Sequence, residues 1–117
     1  MITKFKLFEN KNKFEIGDIV FVNFYDNEKL YLIVDYNDDE SYICNFIGYY
    51  FDDDFSSWID WEESEDTEII KGKYLDSITN DFYEFFFNEL DDSLANFIKN
   101  KFNIDLKKIY SMKKFNI

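Results

Sequence analysis

The stretch "KLYLIVDYNDDESYICNFIGYY", residues 29–50, decides the fold of this 117-residue chain. Its two ends are runs of β-branched and aromatic residues, which are typical of strands. Between them lies the turn-forming "NDDE" at 37–40, so the pattern predicts an antiparallel hairpin with strands over 29–36 and 41–50. Gly48 interrupts the second strand and indicates a bulge or a bend there.

The segment before this hairpin, "FEIGDIVFVNFY" at 14–25, predicts a first strand that begins after Gly17. A turn over 25–29 joins this strand to its return strand at 29–36, so these two strands are also predicted to form a hairpin. Alternation divides the strand's side chains between two faces: Ile19, Phe21 and Asn23, and opposite them Val20, Val22 and Phe24. Because both faces are largely apolar, the strand belongs either to a small barrel or to a sheet that is covered on both sides.

The segments after the hairpin predict a loop and two short strands. "FDDDFSS" at 51–57 is the loop, and "WIDWEE" at 58–63 and "TEIIK" at 67–71 are the strands. The first part of the chain is therefore expected to form an antiparallel meander of four or five strands, as a small barrel or a curled sheet.

The spacing of apolar residues changes to three or four after Gly72, which predicts two or three helices. The first lies in "LDSITNDFYEFFFNEL" at 75–90, with Asp76 or Ser77 as its cap. Its inward side chains are Leu75, Ile78, Phe82, Phe85, Phe86 and Leu90.

Two further helices are expected near the end of the chain. The second is capped by Asp91 or Asp92 and ends at Asn103 in a left-handed conformation. The third lies in "IDLKKIYSMKKF" at 104–115 and is capped by Asp105. Their inward residues are Leu94, Phe97, Ile98 and Phe102, then Leu106, Ile109 and Tyr110. The whole chain is thus predicted to be one α+β domain over 1–117, β-rich at about 14–71 and helical at 74–115.

The net charge of −12 is spread unevenly along the chain. Residues 15–68 carry a net charge of −16, whereas residues 1–14 carry +3 and residues 99–117 carry +5. Solubility alone would not require one segment to hold this surplus, although a solvated acidic surface remains the alternative. We interpret the segment as a functional acidic face.

Catalysis, cofactors and tight metal binding are not expected. The chain has no histidine and one cysteine, Cys44, which is expected to be buried, so Cys–His nucleophiles and Cys/His metal sites are excluded. "DYNDDE" from Asp35 resembles the start of a calcium loop but has Glu40 where glycine is needed and Phe46 where glutamate is needed. A loose divalent site at Asp52, Asp53 and Asp54 is the alternative. We predict that the protein is not an enzyme.

The partner is expected to be neither a membrane nor a nucleic acid. No apolar run reaches membrane-spanning length and the first residues do not form a signal peptide, so a cytoplasmic location in a bacterial host cell is predicted. The aromatic-rich region coincides with the densest negative charge, which repels phosphates. The oligomeric state is left open.

"KLFENKNKFEIGDIVFV" at 6–22 resembles the opening of small uncharacterised phage and bacterial proteins with an SH3-like barrel. In such barrels a Gly-Asp pair, here Gly17 and Asp18, commonly enters the first long strand. The size, the acidity and a composition typical of a genome poor in G and C also resemble anti-CRISPR and other phage anti-defence proteins. The resemblance implies an SH3-like barrel and an inhibitory function.

The candidate binding segment is "YYFDDDFSSWIDWEESEDTE" at 49–68, which holds six aromatic residues, nine carboxylates and no lysine. Carboxylates steer a basic partner, and aromatic anchors supply binding energy. Trp58 and Trp61 should face opposite sides of a strand, one in the core and one exposed. The predicted partner-binding residues are Asp52, Asp53, Asp54, Trp58, Asp60, Trp61, Glu62, Glu63, Glu65 and Asp66.

Three functions fit this segment. The leading hypothesis is a phage-encoded, anti-CRISPR-like inhibitor that mimics nucleic acid and occupies the basic nucleic-acid channel of a defence effector or nuclease. The second is an immunity protein or antitoxin that neutralises a basic toxin. The third is a structural or scaffold protein whose acidic surface only keeps it in solution.

Overall fold

Six antiparallel strands and two helices follow one another in the computed structural model, which describes residues 14–22, 28–52, 55–78, 85–86 and 88–115. The strands are β1 (Ile19–Val22), β2 (Glu28–Tyr36), β3 (Ser41–Asp52), β4 (Ser57–Trp61), β5 (Thr67–Lys71) and β6 (Leu75–Ser77). A 3₁₀ turn, η1 (Gly72–Tyr74), joins β5 to β6. The helices are α1 (Asp92–Phe102) and α2 (Leu106–Phe115), and residues 85, 86, 88 and 89 are also helical.

The strands are ordered β4-β3-β2-β1-β6, and β5 pairs with β3 beside β4. The predicted antiparallel pairings of β1 with β2 and of β2 with β3 are confirmed. Leu30 pairs with Gly48 and Tyr31 with Phe46, so Ile47 is the extra residue of a bulge. Gly48 adopts a φ of 152°, a region that favours glycine, as expected for a glycine at a bulge.

Both faces of the sheet are covered by apolar side chains, as the alternation in β1 predicts. Ile19 and Phe21 lie on the face that packs against the helices, and Val20 and Val22 lie on the other. Asn23 and Phe24 are outside the described residues. The buried residues of the helix-side core are Ile19, Leu30, Leu32, Ile47, Ile78, Phe86, Leu94, Ile98, Ile104, Leu106 and Tyr110. Those of the opposite core are Phe14, Val20, Val22, Tyr31, Ile33, Tyr42, Cys44, Ile70 and Leu75.

The last two predicted helices are confirmed, together with their caps. The Asp91 carboxylate accepts a hydrogen bond from the Leu94 N–H at 3.2 Å, and Asn103 ends α1 with a φ of 58°. Asp105 accepts a hydrogen bond from the Lys108 N–H at 3.1 Å at the start of α2. These local bonds satisfy backbone groups that a helix end leaves without partners.

The first predicted helix begins too early. Leu75 lies in β6, opposite Val22, and is buried in the core on the far side of the sheet from the helices. Asp76 and Ser77 are strand residues of β6 and not helix caps. Ile78 and Phe86 are buried on the helix side as predicted, and Phe82 is outside the described residues.

Two further expectations about the strands need correction. The sheet has six strands among the described residues, not four or five, and its pairing does not close it into a barrel, so the SH3-like barrel is not confirmed. The predicted loop at 51–57 is shorter, because β3 continues through Asp52 and β4 begins at Ser57.

Candidate partner-binding site

The length of β3 positions the candidate site. Its first half, 41–45, pairs with β5, and its second half, 48–52, pairs with β4 along the same edge. Phe51 therefore lies opposite Trp58, and Tyr49 lies opposite Asp60. The aromatic residues on either side of the acidic run in "YYFDDDFSSWIDWEE" therefore lie next to each other in the β3–β4 hairpin.

The two tryptophans lie on opposite faces of β4, as their spacing predicts. Trp61 is partly buried and packs against the helix-side core, where its ring lies edge-on to Phe86 with the centroids 5.1 Å apart. Its indole Nε1 donates a 2.9 Å hydrogen bond to the backbone carbonyl of Glu89. Trp58 is 44% exposed on the other face. Trp61 is therefore the core residue of the pair, and Trp58 is the one that a partner can reach.

A row of aromatic rings runs along the face that carries Trp58. The centroids of Phe46 and Tyr49 are 5.0 Å apart, those of Tyr49 and Phe51 are 6.1 Å apart, and Phe51 stacks on Trp58 at 5.3 Å with 22° between the ring planes. We call these four residues the outer aromatic strip. Exposure increases along it, from half-buried Phe46 to Phe51 at 40% and Trp58 at 44%. Large exposed rings of this kind are a mark of binding surfaces.

Carboxylates lie on both faces of the β3–β4 hairpin. Asp60 is exposed on the face of the outer aromatic strip. Asp52 is exposed at the end of β3 and accepts a 2.7 Å hydrogen bond from the Ser57 hydroxyl. Ser57 lies on the same face of β4 as Trp61, because alternate residues of a strand share a face. Asp53 and Asp54 are outside the described residues. The hairpin therefore places Asp60, rather than Asp52, beside the exposed rings.

The connection between β4 and β5, residues 62–66, carries four exposed carboxylates: Glu62, Glu63, Glu65 and Asp66. It runs alongside α1, because Glu63 accepts a 2.8 Å hydrogen bond from the Ser93 hydroxyl and Glu65 lies 3.8 Å from the Lys101 ammonium. Within this connection, Glu65 pairs with a helix lysine, whereas Glu62, Glu63 and Asp66 form no such ion pair among the described residues.

A buried amide holds this acidic connection against the sheet. Asn45 is fully buried, and its Nδ2 donates hydrogen bonds of 3.1 Å to the carbonyls of Phe46 and Ser64. The backbone of Glu62 also donates to the carbonyl of Ile47 at 2.9 Å. The connection is thus fixed at both its start and its middle, so its carboxylates have a defined position relative to β3.

Burial shifts the pKa of Tyr31 and Cys44, two titratable groups in the sheet. The Tyr31 hydroxyl donates to the Glu68 carboxylate, and burial, followed by this bond, raises the pKa of Tyr31. Burial also raises the pKa of the Cys44 thiol to about 12, so it is protonated at neutral pH. The described residues contain no group of three or more Asp, Glu or Cys side chains placed to hold a metal ion.

The predicted site residues are therefore only partly brought together. Trp58 and Asp60 share a face, whereas Trp61 belongs to the core and Glu63 and Glu65 contact α1. Sequence reasoning left Phe46, Tyr49 and Phe51 out of the site. The missing signal was the register: only the pairing of Phe51 with Trp58 shows which rings of β3 share a face with the exposed indole.

No described helix is both long enough and apolar enough to span a lipid bilayer. Comparisons with models of known protein families, with curated proteins and with solved structures find no match. The function is therefore inferred from the chemistry of the outer aromatic strip with Asp60, and of the acidic connection.

Proposed function

We propose that this protein is a non-enzymatic acidic inhibitor that occupies the basic nucleic-acid channel of a bacterial defence effector, with a CRISPR nuclease as the expected target. The observation that carries this proposal is the exposed Phe51–Trp58 stack beside Asp60. Exposed aromatic anchors next to carboxylates suit a protein partner that presents lysine or arginine.

Charge supports a basic partner and opposes a nucleic-acid ligand. The segment 15–68 carries a net charge of −16, and a strand of DNA carries one negative charge per 3.4 Å of axis. A surface of this sign repels phosphates and competes with them for a basic channel. Exposed carboxylates add little affinity singly, but together they accelerate association with a basic surface.

The test is displacement of DNA from the channel. A panel of guide-loaded CRISPR nucleases from bacteria with genomes poor in G and C is mixed with the protein, and binding of a fluorescent target duplex is followed by anisotropy. We expect the protein to prevent duplex binding by at least one nuclease, and the inhibition to weaken as salt is raised. Unchanged duplex binding across the whole panel would overturn the proposal.

Matched charge variants separate a binding face from a solvated surface. The site variant combines Asp60→Asn, Glu62→Gln and Asp66→Asn. The control combines Glu15→Gln, Glu40→Gln and Asp76→Asn, which replace exposed residues before β1, in the β2–β3 turn and in β6 and remove the same number of charges. We expect the site variant to associate more slowly and with less dependence on salt, and the control to resemble the parent. Equal behaviour of the two variants would show that the carboxylates at the site have no special role.

We further propose that the sheet is related to SH3-like barrels. Two features support this: the 3₁₀ turn η1 returns the chain from β5 to β6, and β6 then pairs with the first strand. An experimental structure tests it. Closure of the sheet around the core formed by Val20, Ile33 and Cys44 would support the relation, and a sheet that remains open would exclude it.

A further inference from the structure

We infer that the outer aromatic strip and Asp60 form a docking site for a single arginine side chain of the basic partner. This inference rests on the proposed function for the identity of that partner, and it adds the group that the site recognises. Three properties of the β3–β4 hairpin support it: the exposure of the rings, the position of one carboxylate among them, and the distribution of the neighbouring cations.

The Phe51–Trp58 stack presents an open aromatic surface. The two rings are nearly parallel, and each contacts the other over one side, yet the side chains remain 40% and 44% exposed. An aromatic face attracts a cation within about 6 Å of its centroid, and tryptophan is the strongest of the aromatic side chains in this respect. A planar guanidinium can lie parallel to the indole and extend the stack.

Asp60 lies where it can pair with a guanidinium stacked on Trp58. The two residues alternate with Ile59, so they share one face of β4 and their Cα atoms are about 7 Å apart. Tyr49 lies directly across from Asp60 on β3. The carboxylate therefore has an aromatic ring beside it on the neighbouring strand and another two residues away on its own strand. A carboxylate accepts two parallel hydrogen bonds from arginine, which lysine cannot supply.

No ion pair between described residues engages this carboxylate. Lys29 lies in the same row but on the far side of Tyr49, about 10 Å from Asp60 between Cα atoms. Among the described residues, the ion pairs of the helices engage Glu65, Asp92 and Asp105, and none engages Asp60. Tyr74 provides a contrast: it is 37% exposed, but the Lys73 ammonium already lies 5.0 Å from its ring centroid.

The test follows the two indole N–H signals of the ¹⁵N-labelled protein, assigned with a Trp58→Phe variant. Hexa-arginine, hexalysine and hexacitrulline peptides are the probes; citrulline keeps the planar shape of arginine without its charge. We expect hexa-arginine to shift the Trp58 signal saturably, hexalysine to bind more weakly, and hexacitrulline to have no effect. The Trp61 signal should remain in place, because its N–H is bonded to Glu89.

Affinity measurements on variants complete the test. Trp58→Ala and Asp60→Asn should each weaken hexa-arginine binding by about five-fold or more, while Tyr74→Ala should stay within about two-fold of the parent. The inference is overturned if hexa-arginine binds without moving the Trp58 signal, if hexacitrulline binds equally well, or if Trp58→Ala retains the parental affinity.

The same variants distinguish this inference from the proposed function. If the parent and Trp58→Ala displace DNA from a nuclease equally well, the proposed function stands and the arginine site is wrong. If Trp58 and Asp60 bind hexa-arginine but no nuclease channel is affected, the arginine site stands and the proposed target is wrong.

Discussion

The hydroxyl oxygen of Tyr110 accepts a 2.9 Å hydrogen bond from the backbone N–H of Ile19, across 91 positions of sequence. Both residues are buried in the helix-side core, and the Tyr110 ring also lies 5.2 Å from that of Phe86. The Tyr110 side chain of α2 thus provides the acceptor for a backbone N–H of β1. It also packs against Phe86, the residue whose ring contacts Trp61. The helices are therefore fixed to the same sheet that carries the candidate site.

Tyr110→Phe tests this bond. The substitution keeps the ring but leaves the buried N–H of Ile19 without its acceptor, so we expect the free energy of unfolding to fall by about 1–3 kcal/mol. Chemical denaturation measures this difference. Tyr49→Phe, at a half-buried ring of the outer aromatic strip, is the control and should change stability by less than about 0.5 kcal/mol. Equal losses in the two variants would contradict a structural role for the Tyr110 hydroxyl.

The two tryptophans should respond differently to truncation. Trp61→Ala removes a ring packed against Phe86 and breaks the bond to Glu89, so a loss of about 3 kcal/mol is expected. Trp58→Ala removes an exposed ring and should cost about 1 kcal/mol or less. Thermal and urea unfolding of both variants check the order, and a reversed order would show that β4 presents its other face to the core.

Gly48 should be the least replaceable of the three glycines. Its φ is 152°, and a Cβ there would lie 2.4 Å from the carbonyl oxygen of Asp60, so Gly48→Ala should cost about 2 kcal/mol or more. Gly72→Ala is the control, because its Cβ would meet the Tyr42 ring at 3.2 Å and not a carbonyl. Melting temperatures measure both changes. A Gly48→Ala variant as stable as Gly72→Ala would argue against the bulge.

The Cys44 thiol predicts a loss of stability at alkaline pH. Burial raises its pKa from 9.0 to about 12, so between these values the unfolded chain releases the proton while the folded chain keeps it. The contribution of this thiol to the free energy of unfolding is therefore fully present below pH 9 and is lost as the pH rises towards 12. Cys44→Ala removes the titrating thiol, so the free energy of unfolding should fall less steeply with pH in this window. This change in slope is expected even if the smaller side chain lowers stability at every pH. Identical slopes for the parent and the variant would contradict the shifted pKa.

Reactivity provides a second measure of the same thiol. Because Cys44 is fully buried and protonated at neutral pH, a disulfide reagent should modify it slowly in the folded protein and rapidly in urea. Rapid modification of the folded protein at pH 7 would show that the core around Tyr42 and Ile70 opens readily.

Local signals in the sequence were sufficient for most of the fold. The β2–β3 hairpin follows from two apolar runs around a polar turn, and α1 follows from its spacing and its caps Asp91 and Asn103. These features depend on neighbours within a few residues, so the chain itself specifies them. β6 could not be predicted in this way, since Leu75 pairs with Val22 on a strand 53 positions away, and its spacing to Ile78 imitates a helix.

The candidate site divides in the same way. Strand alternation by itself determined that Trp58 and Trp61 lie on opposite faces, because successive side chains of a strand point in opposite directions. Which of them is exposed was decided only by the tertiary structure, where Phe86 and the Glu89 carbonyl cover the face that carries Trp61. The register of β3 against β4 likewise placed Phe51 on Trp58 and Tyr49 on Asp60. The alternation of a strand determines which side chains share a face, but the burial of each face depends on which distant element packs against it.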